Sequence, residues 1–547
     1  MADSKSDSKS DVSLRASLDS LVDERISRSP ISAALDAKSD QSLSSGLEHP
    51  NPPSKSRHPD VEKLESPPSP DAVFASSQDE HDPSIVDWDG DEDPENPMNW
   101  PIGRKIWMST VAAGTTFIVS IASSVWSEDV DVTAKEFGVS REVTILGVSL
   151  YVLGFACGPL VFGPISELYG RSRPLIFGFF CFAIFQIPIA VATNLETIFI
   201  CRFLSAAFAA AAIAVSPGIL VDMWEPYARG IASLVWSLTV FAGPTVGPLV
   251  GAFTVENPNL GWRWTAWLIL IIAMAMWVIC VPTVSESFAP ILLQRRAARL
   301  RQETRNWALH SKRDEDPITY GYLVRKYGLK PFKMLVQEPI LACMTTFMSL
   351  VYALIYLMFV AFPYAFQVVR GWDLGIAALP FIGLFIGYLL GSVICITEST
   401  VRFRRLLRLN NGSFAPEERL PTMILGSFVL IAGLFWFAWT SSRNITWIPQ
   451  VISSIPIGAG IFLVFVPGQV YLMDVYTIHA ASALAGNAFV RAALACAFPL
   501  IGDPMYETLG VAWGMSLLGF ICLALAPCPI AFYLYGHKVR AWSKYVA

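Results

Sequence analysis

From about residue 106 onward the chain is a succession of apolar runs, each close to membrane-spanning length and parted from the next by short polar stretches. A helix needs about 20 apolar residues to cross the hydrocarbon of a bilayer. Runs of that kind lie near 106–126, 143–164, 174–192, 196–221, 231–254 and 264–284, and again near 339–362, 374–396, 421–440, 446–473, 481–501 and 509–535. A polar segment, 286–338, separates the two sets. The pattern predicts an all-α polytopic membrane protein with twelve transmembrane helices in two six-helix halves. Residues 99–285 and 339–547 are the expected six-helix bundles, and 286–338 a cytosolic central loop with an amphipathic helix. Residues 1–98 are rich in Ser, Asp, Pro and Lys and hold too little apolar content to offset chain entropy, so a disordered cytosolic tail is expected. Within it, Ser66-Pro67-Pro68-Ser69-Pro70 is either a phosphorylation segment or inert solvated chain. The first residues are polar and serine-rich, with no apolar core of a cleavable signal peptide.

Composition agrees with this division. The 547 residues are 53% hydrophobic and 16% charged, with a mean hydropathy of +0.47, outside the range of ordinary soluble domains. The net charge of −5 is small and comes largely from the N-terminal end, so nothing points to nucleic acid. All nine cysteines fall in apolar segments without a CxxC or a His cluster, which suits small core residues better than disulfides or zinc ligands. Neither a metal nor a cofactor is expected.

Charge sets the orientation. The segment 286–338 carries eleven Lys and Arg, among them Arg295, Arg296, Arg299, Arg301, Lys312 and Arg325; after the eighth run come Arg402, Arg404, Arg405, Arg408 and Arg419. The other loops are short and acidic, with Glu128, Asp129, Asp503 and Glu507. Basic loops stay on the cytosolic side, so both termini are expected there, in the plasma membrane or, as the alternative, the vacuolar membrane. On this topology the sequon at Asn444 is external and open to glycosylation, whereas Asn411-Gly412-Ser413 is internal.

Several polar or kinked positions carry mechanism. The fifth run holds Gly243, Pro244, Gly247, Pro248 and Gly251; each proline deletes a donor, and the glycines form a bare ridge that another helix can approach closely. The eighth run has Gly383, Gly387 and Gly391, a second fourfold ridge. Arg202 lies inside the fourth run, where a charge is costly without a partner or a wet cavity; snorkelling to the interface is the alternative. Glu167, Arg171, Asp222 and Arg229 should share one cytosolic level and form a charge cluster. Glu398 and Arg402 repeat the Glu167 and Arg171 spacing, a faint internal repeat. Tyr352, Tyr356, Asp474, Asn487 and Arg491 are candidates to line a central cavity; Asn487 is equally explained by an interhelical hydrogen bond. No carboxylate occupies the middle of a span, so the candidates for a titrating group are the cluster around Glu167 and Asp222, or Asp474.

The Gly-Pro pattern on the fifth run resembles the antiporter signature of major facilitator superfamily exporters. The fold implied by that resemblance would bring the ridges of the fifth and eighth runs together across the halves. Gly163-Pro164-Ile165-Ser166-Glu167-Leu168-Tyr169-Gly170-Arg171 is similar to that superfamily's signature between the second and third helices, with Glu167 where many members have Asp. Arg202 matches the fourth-helix arginine associated with proton coupling, although Ala206 replaces the usual glycine. Asp93-Pro94-Glu95-Asn96-Pro97-Met98-Asn99-Trp100, Trp262-Arg263-Trp264 and the stretch 471–499 look like the fungal drug:proton antiporter branch, of the twelve-helix DHA1 type. The resemblance implies a monomeric, proton-coupled exporter of a drug, toxin or fungal secondary metabolite. Aromatic walls with few fixed charges would suit a lipophilic solute that is neutral or weakly basic. The alternatives are a facilitator or proton symporter importing a small organic solute such as a polyamine or vitamin, and a transport-dead sensor. The sequence holds no P-loop, no zinc-ligand spacing and no nucleophile beside a base, so neither an ATP-driven pump nor an enzyme is expected.

Overall fold

The computed structural model describes residues 84–315, 321, 328–402, 405 and 415–545. Residues 1–83, with Ser66–Pro70, and also Arg325, Arg404, Arg408 and the Asn411 sequon, lie outside the described residues. The first half contains α1 (Ile102–Ser124), α2 (Arg141–Tyr169), α3 (Ser172–Ile184), α4 (Leu195–Met223), α5 (Pro226–Glu256) and α6 (Arg263–Thr283). The second contains α7 (Pro339–Pro363), α8 (Phe381–Thr397), α9 (Leu420–Thr440), α10 (Trp447–Tyr476) and α11 (Ala480–Leu525), continued by Pro527–Arg540. Among the described residues, 11 helical runs are long and apolar enough to cross a membrane. The longest of them, Ala480–Arg540, is interrupted at Gly510. With φ 71° and ψ 169° Gly510 cannot continue an α-helix, and the chain on either side exceeds the length of one crossing.

Small residues decide which helices touch. A Cβ on Gly154 or Gly158 of α2 would fall 2.7 Å from the carbonyls of Phe203 or Ala207 in α4. In the second half, Gly387 of α8 would collide with the backbone of Ile455, Gly458 and Ala459 in α10, and Gly391 would come within 3.1 Å of the Ala459 carbonyl. The α2–α4 and α8–α10 contacts are thus equivalent, as two related halves require.

The α5 ridge behaves differently from expectation. Its glycines face α1: a Cβ on Gly243 would lie 2.9 Å from the Phe117 carbonyl, on Gly247 2.8 Å from that of Ile121, and on Gly251 2.7 Å from that of Val125. The helices α5 and α8 do pack together, but through side chains, with the Phe241 and Tyr388 rings 5.7 Å apart. A glycine ridge specifies a close neighbour without naming it. Here each ridge tightens its own half.

The polar segment between the halves forms a helix, Ala289–Thr304, lying beside the end of α6. Glu286 holds its approach, accepting from the backbone N–H of Arg171 at 2.7 Å and from the Ser172 hydroxyl at 2.9 Å. Gly170, at φ +90°, leaves room for that carboxylate. Residues 84–98, expected within the disordered tail, pack on this helix instead. Asp93 is buried and bonds Arg296, which also meets Asp89; Arg299 meets Glu95 at 2.8 Å. The guanidinium of Arg296 holds the Asp93 carboxyl down at about 2. Enough acidic groups face the basic helix to order a stretch that its apolar content alone would not.

Candidate functional site

Arg202 does not snorkel. It is 3% exposed and enclosed by α1, α2 and α4. Its Nε donates to the Gly147 carbonyl at 2.7 Å and a terminal nitrogen donates to the Ala122 carbonyl at 3.4 Å. The guanidinium stacks between the rings of Trp126 and Tyr151, 5.0 Å from each centroid. Gly147 lets Trp126 approach, since a Cβ there would meet the indole. The cation is therefore held by carbonyl dipoles and aromatic faces rather than by an ion pair.

Two carboxyls that the sequence places in an outer loop are buried just past α1, and one of them, Asp129, feels the charge of this arginine. Just past α1 the chain makes one 3₁₀ turn, Val125–Ser127, and enters a short helix, Val130–Phe137. That fold-back buries Glu128 at 4% exposure and Asp129 at 0%. Thr265 of α6 donates to one Asp129 oxygen at 2.8 Å, and the other oxygen has no partner. Burial pushes both groups up to about 8, with the charge of Arg202 acting against the shift at Asp129. Burial thus favours the neutral, protonated form of each. The signal that could have found them is the 129–133 pair, in which Thr133 bonds back to the Asp129 carbonyl and continues a helix where a loop is expected.

The expected charge cluster is only partly assembled. Arg171 pairs with Asp222 at 3.1 Å, and Ser287 also donates to Asp222. Glu167 feels the charge of Arg313, whose guanidinium donates to the Leu168 carbonyl. Arg229 instead acts on Asp474 of α10, in the other half. Glu398 and Arg402 pair at 3.0 Å, so the repeated spacing closes directly in the second half, whereas Arg171 of the first half turns to Asp222.

Of the five cavity candidates, Tyr352, Tyr356 and Arg491 come together. The guanidinium of Arg491 lies 4.5 Å from the Tyr352 ring centroid and 4.9 Å from that of Phe465. Tyr356 reaches Ser123 of α1 across the halves at 3.4 Å. Asn487 is one turn from Arg491 and donates to Thr345 at 3.3 Å. Asp474 is elsewhere: it pairs with Arg419 at 3.2 Å near the end of α10. Two residues short of that helix's terminus, it cannot reach the tyrosines at mid-span. Asn444 is exposed in the turn before α10.

On the face opposite the Ala289–Thr304 helix the two halves are tied. Arg141 at the start of α2 pairs with Asp131 and, across the halves, with Asp503 of α11 at 2.7 Å. Glu256 at the end of α5 accepts from the Gly375 N–H at 3.2 Å. A helical membrane protein of two repeated halves, joined around mid-span polar groups and tied at one face, has the build of a secondary transporter. The chain belongs to the Major Facilitator Superfamily, which it matches over residues 107–500. It is 49% identical to a citrinin biosynthesis cluster MFS transporter of Monascus ruber, over 84% of this chain and 92% of that one. It is 48% identical to an ascochitine biosynthesis cluster MFS transporter of Didymella fabae, over 85% and 90%. A cercosporin MFS transporter of Cercospora nicotianae is 41% identical, over 85% and 90%.

Proposed function

We propose that this transporter exports a lipophilic small molecule, of the class of fungal secondary metabolites, in exchange for protons. The observation that carries the coupling is the burial of Asp129, next to the buried Glu128, within the field of a fixed cation: Asp129 keeps one oxygen unpartnered, and Arg202 is held by carbonyls and ring faces with no ion pair. A carboxyl that loses its proton there gains an attractive neighbour, so proton release is coupled to the packing of α1, α2 and α4. The relatives named for citrinin, ascochitine and cercosporin support a metabolite as cargo. In this reading the Ala289–Thr304 helix faces the cytosol, with both termini on its side and Asn444 outside. The run broken at Gly510 counts as two crossings, the twelve expected. The ties through Arg141 and Glu256 then close the outer face, and export requires them to part. The plasma membrane is the expected location, and a monomer suffices. Glu167, Arg171, Asp222 and Arg229 bias the inner face. The test uses inside-out vesicles that carry the full chain and an internal pH dye, loaded acid inside. Three naphthalene probes are added in turn: 2-naphthoate, naphthalene-2-carboxamide and 2-naphthylmethylamine. Transport of a probe should release protons, and Asp129→Asn should stop that release. Proton release undiminished in Asp129→Asn would remove Asp129 from the coupling.

A further inference from the structure

The second buried arginine has no counter-ion. Arg491 sits 11 residues into α11, about 17 Å along the axis at 1.5 Å per residue, and so near mid-membrane. Its Nε is buried without an acceptor, and no carboxylate pairs with it among the described residues. The residue as a whole is half-buried. Its surroundings are aromatic: Tyr352 and Phe465 lie against it, and Phe241 reaches from α5 to within 4.9 Å of the Phe465 ring. Other polar atoms on the same facing helices are also left over. Asn487 Oδ1, Ser349 Oγ and Tyr388 Oη are buried with no partner. Asn487 is four residues before Arg491, and Ser349 three before Tyr352, so each shares a helix face with its neighbour.

We infer that Arg491 is the anion subsite of the transport pathway, and that the cargo is a planar, acidic aromatic molecule carrying a carboxylate or an ionised phenol. This inference rests on the export reading and replaces the neutral or weakly basic solute expected from the low charge of the spans. A guanidinium without an ion pair at bilayer depth is costly, and the two ring faces beside it offset that only in part. A bound carboxylate would accept from the planar fork of Arg491, while the ring of the cargo would stack on Tyr352 and Phe465. A cationic cargo would meet repulsion at this point, and a neutral one would leave the arginine as it is.

The purified full chain in lipid nanodiscs, titrated at pH 7 with the same three naphthalene probes, tests this. They share one ring system and differ in charge. 2-Naphthoate should bind at least ~10-fold more tightly than the carboxamide, and the amine weakest. Arg491→Gln should abolish that ranking, and Arg491→Lys should retain part of it. Equal or undetectable binding of all three, or a preference for the amine, overturns the inference. If Arg491→Gln does not yield monodisperse protein, the wild-type ranking decides alone. In the vesicle assay, proton release with the amine or the amide but not with naphthoate would keep the export reading and remove the anion subsite. Tight naphthoate binding without proton release by any probe would do the reverse.

Discussion

Each half of the molecule buries one arginine near an aromatic pair, and the two are treated in opposite ways. Arg202 is complete: two carbonyls accept hydrogen bonds from it, two rings cover its faces, and the charge of Asp129 can act on it. Arg491 is incomplete, stacked on Tyr352 and Phe465 with its Nε unmatched. The same residue type in the same solvent can thus belong to a closed circuit or await a ligand. What separates them is the count of acceptors, which burial alone does not reveal.

The strongest way to break the contrast is to remove each cation. Arg202→Ala should lower proton-driven export by more than ~100-fold and also destabilise the protein, by about 3–5 kcal/mol, because stacked rings and two carbonyls lose their partner. Arg491→Ala should lower transport of an acidic probe while changing the unfolding temperature much less, since only the stacking on Tyr352 and Phe465 is lost. Thermal unfolding of the two purified variants checks both; equal destabilisation would erase the distinction.

Next in size is the close packing that holds the Arg202 site. Gly247→Leu drives a side chain into the Ser124 hydroxyl and the Ile121 carbonyl, and overpacking of this kind costs about 1–3 kcal/mol or more. The loss should appear as reduced folded protein within the first half. Export lost in a variant of wild-type stability would restore a role for the ridge at the contact between halves.

A smaller effect follows from pH. Glu128 and Asp129 have folded values raised to about 8 from ordinary values near 4, so the folded state binds protons more tightly than the unfolded one. Their contribution is complete below about pH 4, falls as pH rises from about 4 to about 8, and is lost above. The unfolding temperature should decline through that window, and Asp129→Asn should flatten the decline. An unchanged profile in the variant would show that Asp129 does not titrate there. The smallest effect is at the outer tie: Asp503→Asn removes a buried carboxylate from a part-exposed Arg141 that keeps Asp131, at a cost of about 1 kcal/mol, enough to shift the balance of states without unfolding either. Cysteine accessibility on the outer face should rise modestly.

The helical architecture was legible because a bilayer imposes one length and one secondary structure on every crossing. Two arginines inside helices were legible as unusual because their cost alone marks them, at Arg202 and Arg491. Partnership was not. The glycines at 243, 247 and 251 announce close contact, but α1 rather than α8 supplies it. Glu128 and Asp129 follow an apolar run and look like solvent loop; only the fold-back under Thr265 removes them from water. Asp474, promising by position, is already engaged by Arg419. Asp93 lay in a stretch too polar to fold alone, and folds because the chain brings Arg296 to it.

The account's central claim is that the Arg202 side handles protons and the Arg491 side handles cargo. Proteoliposomes bearing Asp129→Asn measure it most directly, through exchange of labelled 2-naphthoate with and without a pH gradient. Exchange at equilibrium should persist at close to the wild-type rate while the gradient no longer drives accumulation. Accumulation at the wild-type level under the gradient, or loss of exchange itself in a folded variant, would contradict the separation.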